Sequence, residues 1–135
     1  MLEVRDLEVR FGHVHALRGV TLEAARDEII VLIGPNGAGK STVLNTVAGL
    51  YKPSAGLVTI EGADLSGRTP GDVVRSGVTL VPQGRRLFGS MSVRENIELG
   101  AYTKNVRADI DRKIARWAEF FPEVGQRLHV RSSLL

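Results

Sequence analysis

Cysteine is absent from the 135-residue sequence, which excludes disulfides and cysteine-based zinc sites. Aromatic residues are also scarce, at 5%, and the basic residues outnumber the acidic ones by only three. So small an excess favours a weak attraction to anions such as nucleotides, or to a membrane surface, over a dedicated nucleic-acid interface. We therefore expect no nucleic-acid partner.

Long hydrophobic runs are missing as well. The longest run covers residues 29–33, far too short to cross a bilayer, and no basic segment followed by an apolar one opens the chain. We expect a soluble, cytoplasmic protein, so a function at a membrane would need partners that supply the spanning helices. Hydrophobic residues nevertheless reach 43%, enough to predict a packed core rather than disorder.

The hydrophobic pattern predicts several β-strands. Apolar residues alternate with polar ones over 2–11 and 20–24, and a short apolar run covers 57–60. Residues 29–33 are continuously apolar and mostly β-branched, which predicts a strand buried on both faces, as in a parallel sheet. Residues 78–81 predict one more apolar strand.

Helix signals are equally local. Apolar residues recur at helical spacing over 43–48, directly after a glycine-rich loop. Thr69-Pro70 predicts an N-cap followed by proline at the first helical position, and Ser92 with Glu95 has the spacing of a capping box. A longer amphipathic helix ending near Pro122 is predicted by a stripe of apolar residues: Val106, Ile110, Ile114, Trp117 and Phe121.

The glycine-rich loop between the predicted strand 29–33 and the helix after it fits the phosphate-loop pattern G-x-x-x-x-G-K-[ST]. Triphosphate oxygens need several backbone N–H donors in a small space, and small residues allow the chain to curl that tightly. Lys40 would reach the β- and γ-phosphates, and Ser41 would bind Mg²⁺. The predicted ATP-binding residues of the loop are Gly34, Pro35, Asn36, Gly37, Ala38, Gly39, Lys40, Ser41 and Thr42.

The spelling of this loop resembles that of ATP-binding-cassette (ABC) ATPases, and residues 9–12 and 15–20 resemble the opening of the same family. The resemblance implies that Phe11 stacks on adenine, at a position where the family usually has tyrosine. Leu80-Val81-Pro82-Gln83 resembles the Q-loop, which implies that Gln83 contacts Mg²⁺ and the attacking water and, with Lys40, serves catalysis. One departure is Asp27, which stands where the family usually has glycine and predicts strain in one turn.

Residues 83–88, 91–97 and 99–102 resemble more particularly the second ATPase subunit of branched-chain amino acid importers. Urea and short-chain amide importers have close relatives of that subunit and remain an alternative. The resemblance implies transmembrane permease partners, with Arg85, Arg86 and Phe88 as candidate contacts to a coupling helix. It also implies a second ATPase subunit, in a dimer, and a peripheral location on the inner face of the plasma membrane.

The implied fold is an α/β P-loop NTPase core of the ABC type with an antiparallel β subdomain and a partial helical subdomain. We assign residues 1–83 to the nucleotide-binding core and 84–135 to the start of the helical subdomain. The sequence contains neither the ABC signature motif nor a Walker-B aspartate followed by a catalytic glutamate. We therefore expect a truncated chain that binds ATP without hydrolysing it alone, and that is marginally stable and prone to aggregate.

Two other readings stay open on the sequence. A non-catalytic nucleotide-binding module would bind ATP at this length without turnover. Another P-loop enzyme, such as a small-molecule kinase, would share the loop but would need a substrate-side base or lid arginines, and the residues around Gln83 favour the ABC family instead.

Overall fold

The computed structural model describes residues 1–84, 86–103 and 109–135. Tertiary contacts divide the chain into two compact units, Met1–Val81 and Pro82–Leu135. The assignment of residues 1–83 to a nucleotide-binding core and of 84–135 to a helical subdomain stays a prediction.

The first unit contains a four-stranded antiparallel sheet. Its strands are β1 (Leu2–Phe11), β2 (Val14–Ala24), β3 (Ala55–Ile60) and β4 (Ala63–Asp64), in the spatial order β2-β1-β3-β4. The long β1 lies in the middle and pairs with β2 on one side and β3 on the other. The strands predicted from alternation are therefore confirmed.

Two helices belong to the same unit. The helix α1 (Lys40–Val47) follows the glycine-rich loop, and its buried valines pack against the inward side chains of the sheet. The short helix α2 (Pro70–Arg75) begins at Thr69, whose hydroxyl accepts a hydrogen bond from the Asp72 amide, so the predicted N-cap is confirmed. The core shared by sheet and helix consists of fully or nearly fully buried aliphatic residues: Val4, Leu7, Val9, Leu17, Val43, Val47 and Val58.

Two predicted strands are wrong for this structure. Residues 29–33 and 78–81 have no strand conformation, and no ladder within the described ranges pairs with them. Ile29 and Ile33 are each about nine-tenths exposed, at 90% and 91%, instead of buried on both faces. A strand exists through its hydrogen-bonded neighbours, so apolar β-branched residues alone do not make one.

The second unit is helical. It contains α3 (Val93–Gly100), α4 (Ile110–Phe120) and α5 (Pro122–Gly125), followed by a 3₁₀ turn at Ser132–Leu134. The capping box predicted at the start of α3 is confirmed, because the Ser92 hydroxyl accepts from the Glu95 amide and the Glu95 carboxylate accepts from the Ser92 amide. The Glu95 carboxylate accepts hydrogen bonds from the Ser92 amide and from the Ser92 hydroxyl, and both lower the pKa of Glu95 below its usual range, the backbone one most.

The amphipathic helix predicted before Pro122 is confirmed as α4 over Ile110–Phe120, whereas Val106 lies outside the described residues. Ile114 is buried, but Trp117 stacks on Phe121 at a centroid distance of 5.9 Å and both rings remain about half exposed. Arg94 of α3 forms ion pairs with Glu98 and with Asp111, so it connects α3 to α4.

Across residues 1–84, 86–103 and 109–135, none of the helices has the length and hydrophobicity needed to span a membrane.

Candidate nucleotide-binding site

The loop before α1 is curled back on itself. Asn36 and Gly37 form a turn, and the Ala38 amide donates to the Pro35 carbonyl at 3.3 Å. Gly37 and Gly39 have φ angles of 82° and 91°, in the left-handed region that side chains disfavour. Of the two glycines that the phosphate-loop pattern requires, Gly39 has this left-handed conformation, and Gly37, at a free position of the pattern, shares it.

Gly39 is also constrained by its surroundings. A Cβ at this position would lie 2.6 Å from Leu17 Cδ2 and 3.2 Å from the Ala16 carbonyl oxygen. A Cβ at Gly37 would meet nothing within 4 Å. Gly39 therefore lets the start of α1 approach β2 closely, whereas Gly37 serves the conformation of the loop alone.

The amino terminus of α1 has no side-chain cap. Gly39 occupies the N-cap position, the first turn contains no acidic residue, and the helical ladder begins with the Val43 amide donating to the Gly39 carbonyl at 2.9 Å. The amides of Lys40, Ser41 and Thr42 come before that first bond, as the orphan donors of a helix end do. Free donors and the helix dipole together make this end suited to an anion.

Lys40 folds back over the loop. Its Nζ donates to the Gly34 carbonyl at 2.8 Å and to the Pro35 carbonyl at 2.7 Å. The ammonium group therefore lies at the curl of the loop, beside the turn that Gly37 completes. The loop thus places a cation within hydrogen-bond distance of its own backbone, directly before the uncapped end of α1.

This donor set fits a nucleotide triphosphate with Mg²⁺. Phosphate oxygens need convergent N–H donors and a cation, and the loop supplies both. Ser41 is exposed in the first turn of α1, so its hydroxyl is available to a metal ion, whereas Thr42 is half-buried and its carbonyl accepts from Thr46 Oγ1 at 2.7 Å. Within the described residues no group of three or more His, Asp or Glu residues could hold a metal by itself.

Phe11 lies at the end of β1, outside the glycine-rich loop. The Phe11 and Tyr51 rings form a T-shaped pair at a centroid distance of 5.0 Å and an interplanar angle of 80°. The ring is 45% exposed, so one part of it is open to solvent. Its stacking on adenine stays a prediction.

Gln83 belongs to the second unit and lies in an exposed segment. The Gln83 backbone carbonyl accepts a hydrogen bond from Arg86 Nε at 3.4 Å, and the Arg86 backbone amide donates to the Gly84 carbonyl at 3.0 Å. The Phe88 side chain is 61% exposed, and Arg85 lies outside the described residues. The roles of Gln83 as a metal contact and of Arg86 and Phe88 as partner contacts stay predictions.

Sequence reasoning missed Asn96, whose side-chain amide has four hydrogen-bond partners in the second unit. The available signal was an asparagine inside α3, where its helix propensity is poor and a compensating contact is to be expected.

The antiparallel sheet and the glycine-rich loop before α1 fit the ATP-binding-cassette class of P-loop proteins. A family model described as ABC transporter matches residues 17–133. The chain belongs to the ABC transporter family.

Among curated relatives, the high-affinity branched-chain amino acid transport ATP-binding protein BraG of Pseudomonas aeruginosa is 33% identical over all 135 residues and 58% of its own length. LivG of Salmonella typhimurium, with the same description, is 44% identical over 72% of this chain and 38% of its own length. The ribose import ATP-binding protein RbsA 1 of Streptomyces coelicolor is 41% identical over 84% of this chain and 22% of its own length.

Solved structures agree on the fold. A nucleotide-free ATP-binding cassette from an ABC transporter matches 99% of this chain with a TM-score of 0.83 and 25% identity, over 58% of its own length. The structure of the ADP conformation of MJ1267, described as an ATP-binding cassette of an ABC transporter, matches with the same TM-score, identity and coverage. The chain thus spans somewhat more than half the length of BraG and of these cassettes.

Proposed function

We propose that this chain binds ATP through Gly34–Thr42 and serves in the ATP-binding subunit of an ABC importer. The observation that carries the proposal is the position of Lys40, whose Nζ lies 2.7–2.8 Å from two carbonyls of the loop, next to the uncapped end of α1. A triphosphate that replaces those carbonyls as the acceptor would bind a cation already held in place.

The residues divide the work of binding by their chemistry. Lys40 and the amides at the start of α1 would hold the phosphates, Ser41 and Gln83 would offer oxygen ligands to Mg²⁺, and Phe11 would offer its exposed ring to adenine. When bound, Mg²⁺ would neutralise part of the negative charge on the phosphates. Hydrolysis would further require groups that polarise the attacking water.

We propose branched-chain amino acids as the transported substrate. BraG matches over the full length of this chain, and LivG and BraF carry the same description. Ribose and glycerol-3-phosphate import proteins match at 41% and 39% identity, the second of them over 96% of this chain. The support therefore comes from the segments around Gln83 rather than from identity or coverage. A urea or short-chain amide importer is the alternative.

The partners follow from the proposed function. The subunit would pair with a second ATPase subunit and bind transmembrane permease subunits on the cytoplasmic face of the plasma membrane. Exposed Arg86 and Phe88 are the proposed permease contacts among the described residues.

Nucleotide binding is tested by titrating the purified chain with Mg-ATP in a calorimeter. Lys40→Ala should weaken binding by at least about tenfold, because a charge-assisted hydrogen bond contributes roughly 1.5–3 kcal/mol. Lys52→Ala is the matched control, since Lys52 is an exposed lysine of the same unit outside the loop, and it should bind like the wild type. Equal affinity of the two variants would refute the assignment of Lys40.

The substrate is tested in the native cells, where the Lys40→Ala allele replaces the wild-type gene. Uptake of labelled leucine should fall while uptake of labelled urea and ribose stays unchanged. Loss of urea uptake alone would favour the alternative importer. Unchanged uptake of all three by an allele that no longer binds ATP would instead favour a non-catalytic nucleotide-binding module.

A further inference from the structure

The loop that follows Gln83 is anchored at Phe88 by a side chain of α3. Asn96 Oδ1 accepts from the Phe88 amide at 2.9 Å, and Asn96 Nδ2 donates to the Phe88 carbonyl at 3.1 Å. One side-chain amide thereby satisfies both polar groups of one residue, as a neighbouring strand would. Arg86 and Met91 add backbone hydrogen bonds to Gly84 and Phe88 within the same loop.

The same amide reaches the end of the chain. Asn96 Nδ2 also donates to Ser132 Oγ at 2.9 Å and to the Ser92 carbonyl at 2.9 Å. Ser132 is 8% exposed, so its hydroxyl has little access to solvent. The two hydrogens on Asn96 Nδ2 serve three acceptors, namely the Phe88 carbonyl, the Ser92 carbonyl and Ser132 Oγ. At least two of these hydrogen bonds therefore share one hydrogen.

The segment around Ser132 is itself joined to the start of α3. The Val93 amide donates to the Val130 carbonyl at 2.9 Å, and the Ser132 amide donates to the Met91 carbonyl at 2.9 Å. Ser92 and Arg131 form an antiparallel bridge. Asn96 therefore lies where the loop after Gln83 and the segment 130–132 approach the same helix end.

We infer that Asn96 is a positioning residue that couples the backbone at Phe88 to Ser132. The Phe88 side chain is exposed, and a displacement of the Phe88 backbone changes the hydrogen bonds that Asn96 makes with it. The hydrogen bond between Asn96 and Ser132 changes as a result. The coupling itself rests on hydrogen bonds within the second unit, and its use in transport rests on the proposed function. There it would let the contact of a partner at Phe88 alter the segment 130–132.

The orientation of the Asn96 amide explains why its partners are coupled. The terminal torsion of asparagine is broad and has no strong preferred value, so its hydrogen-bond partners decide it. Removal of Ser132 Oγ leaves that torsion less constrained and so weakens the hydrogen bond between Asn96 Oδ1 and the Phe88 amide. The effect passes through Asn96, because none of these hydrogen bonds joins the Ser132 side chain to Phe88 directly.

The test is backbone amide hydrogen exchange of the nucleotide-free chain, read residue by residue by NMR. Asn96→Ala should accelerate exchange of the Phe88 amide about tenfold, the effect of losing one hydrogen bond of ordinary strength. Ser132→Ala should accelerate exchange of the Phe88 amide roughly threefold, because it removes one partner of Asn96 and leaves the hydrogen bond between Asn96 and Phe88 in place. Ser133→Ala is the matched control, because the Ser133 hydroxyl has no hydrogen-bond partner among the described residues, and it should leave Phe88 unchanged.

Two results would overturn the inference. In the first, the Phe88 amide exchanges no faster in Ser132→Ala than in Ser133→Ala. Phe88 and Ser132 would then not be coupled through Asn96. Acceleration spread evenly over residues 86–103 and 109–135 would show a role in stability only. Because no nucleotide is present, the result is separate from the ATP titration, and either proposal can fail without the other.

Discussion

Replacing Gly39 by alanine is expected to destabilise the first unit through two separate effects. The left-handed backbone at φ 91° disfavours any side chain, at about 1–2 kcal/mol. The new Cβ would also lie 2.6 Å from Leu17 Cδ2, so a packed core residue must move, which costs about 1–3 kcal/mol. Together the free energy of unfolding should fall by about 2–5 kcal/mol.

Gly37→Ala separates the two effects. Gly37 has a similar φ of 82°, but a Cβ there would meet nothing within 4 Å, so only the backbone term applies. The expected loss is about 1–2 kcal/mol. The two variants thus differ by the contacts of the new Cβ at position 39 with Leu17 and, less closely, with the Ala16 carbonyl oxygen.

The assay is hydrogen exchange of the slowest amides of β1, whose rates give the free energy of opening the sheet. A third variant, Leu17→Ala, completes a double-mutant cycle: in its background Gly39→Ala should cost less, because the contact with Leu17 Cδ2 is gone and only the backbone term and the 3.2 Å contact with the Ala16 carbonyl oxygen remain. Equal effects of Gly39→Ala and Gly37→Ala would refute the reasoning, as would an unchanged effect of Gly39→Ala after Leu17 is shortened.

Two further predictions concern single turns, both measured by urea unfolding. Asp27, with φ 61°, should gain up to about 1 kcal/mol of stability on replacement by glycine, because relief of left-handed strain exceeds the added entropy of the unfolded chain; a lower midpoint would contradict this. The pKa of Glu95 is lowered in the folded chain by hydrogen bonds from Ser92, so its contribution is present above the usual carboxyl pKa and is lost as the pH falls through the lowered value. Glu95→Gln, which removes the titrating carboxyl from the capping box, should therefore lose less stability than the wild type between pH 7 and pH 3, and an equal loss would exclude the capping box as a source of acid sensitivity.

Local signals in the sequence were sufficient for much of the fold. The Thr69 cap and the capping box at Ser92 and Glu95 depend on residues three apart, so the pattern contains everything that the geometry needs. The turn at Asp27 was also foreseen as strained, and its φ of 61° bears this out. The glycine-rich loop before α1 belongs to the same group, because its helix end and its glycines are adjacent in the chain.

Features that depend on distant partners could not be predicted in the same way. Residues 29–33 have the composition of a buried strand, but pairing is a property of two segments, and none of the described residues pairs with them. The hydrogen bond from Asn96 to Ser132 joins residues 36 positions apart and leaves no pattern in the sequence. The contact of Gly39 with Leu17 likewise follows from how α1 packs on β2, which no motif states.

The two carbonyl contacts of Lys40 have a thermodynamic consequence for any anion that enters the loop. Because the ammonium group already bonds Gly34 and Pro35, the curl of the backbone is held without a ligand. Ordering a residue of backbone costs about 1–2 kcal/mol, and here that entropy is lost when the chain folds rather than when an anion arrives. When an anion binds, Lys40 exchanges two carbonyl acceptors for phosphate oxygens, so the binding enthalpy should be modest. The binding entropy should lack the unfavourable contribution that ordering a loose loop would add.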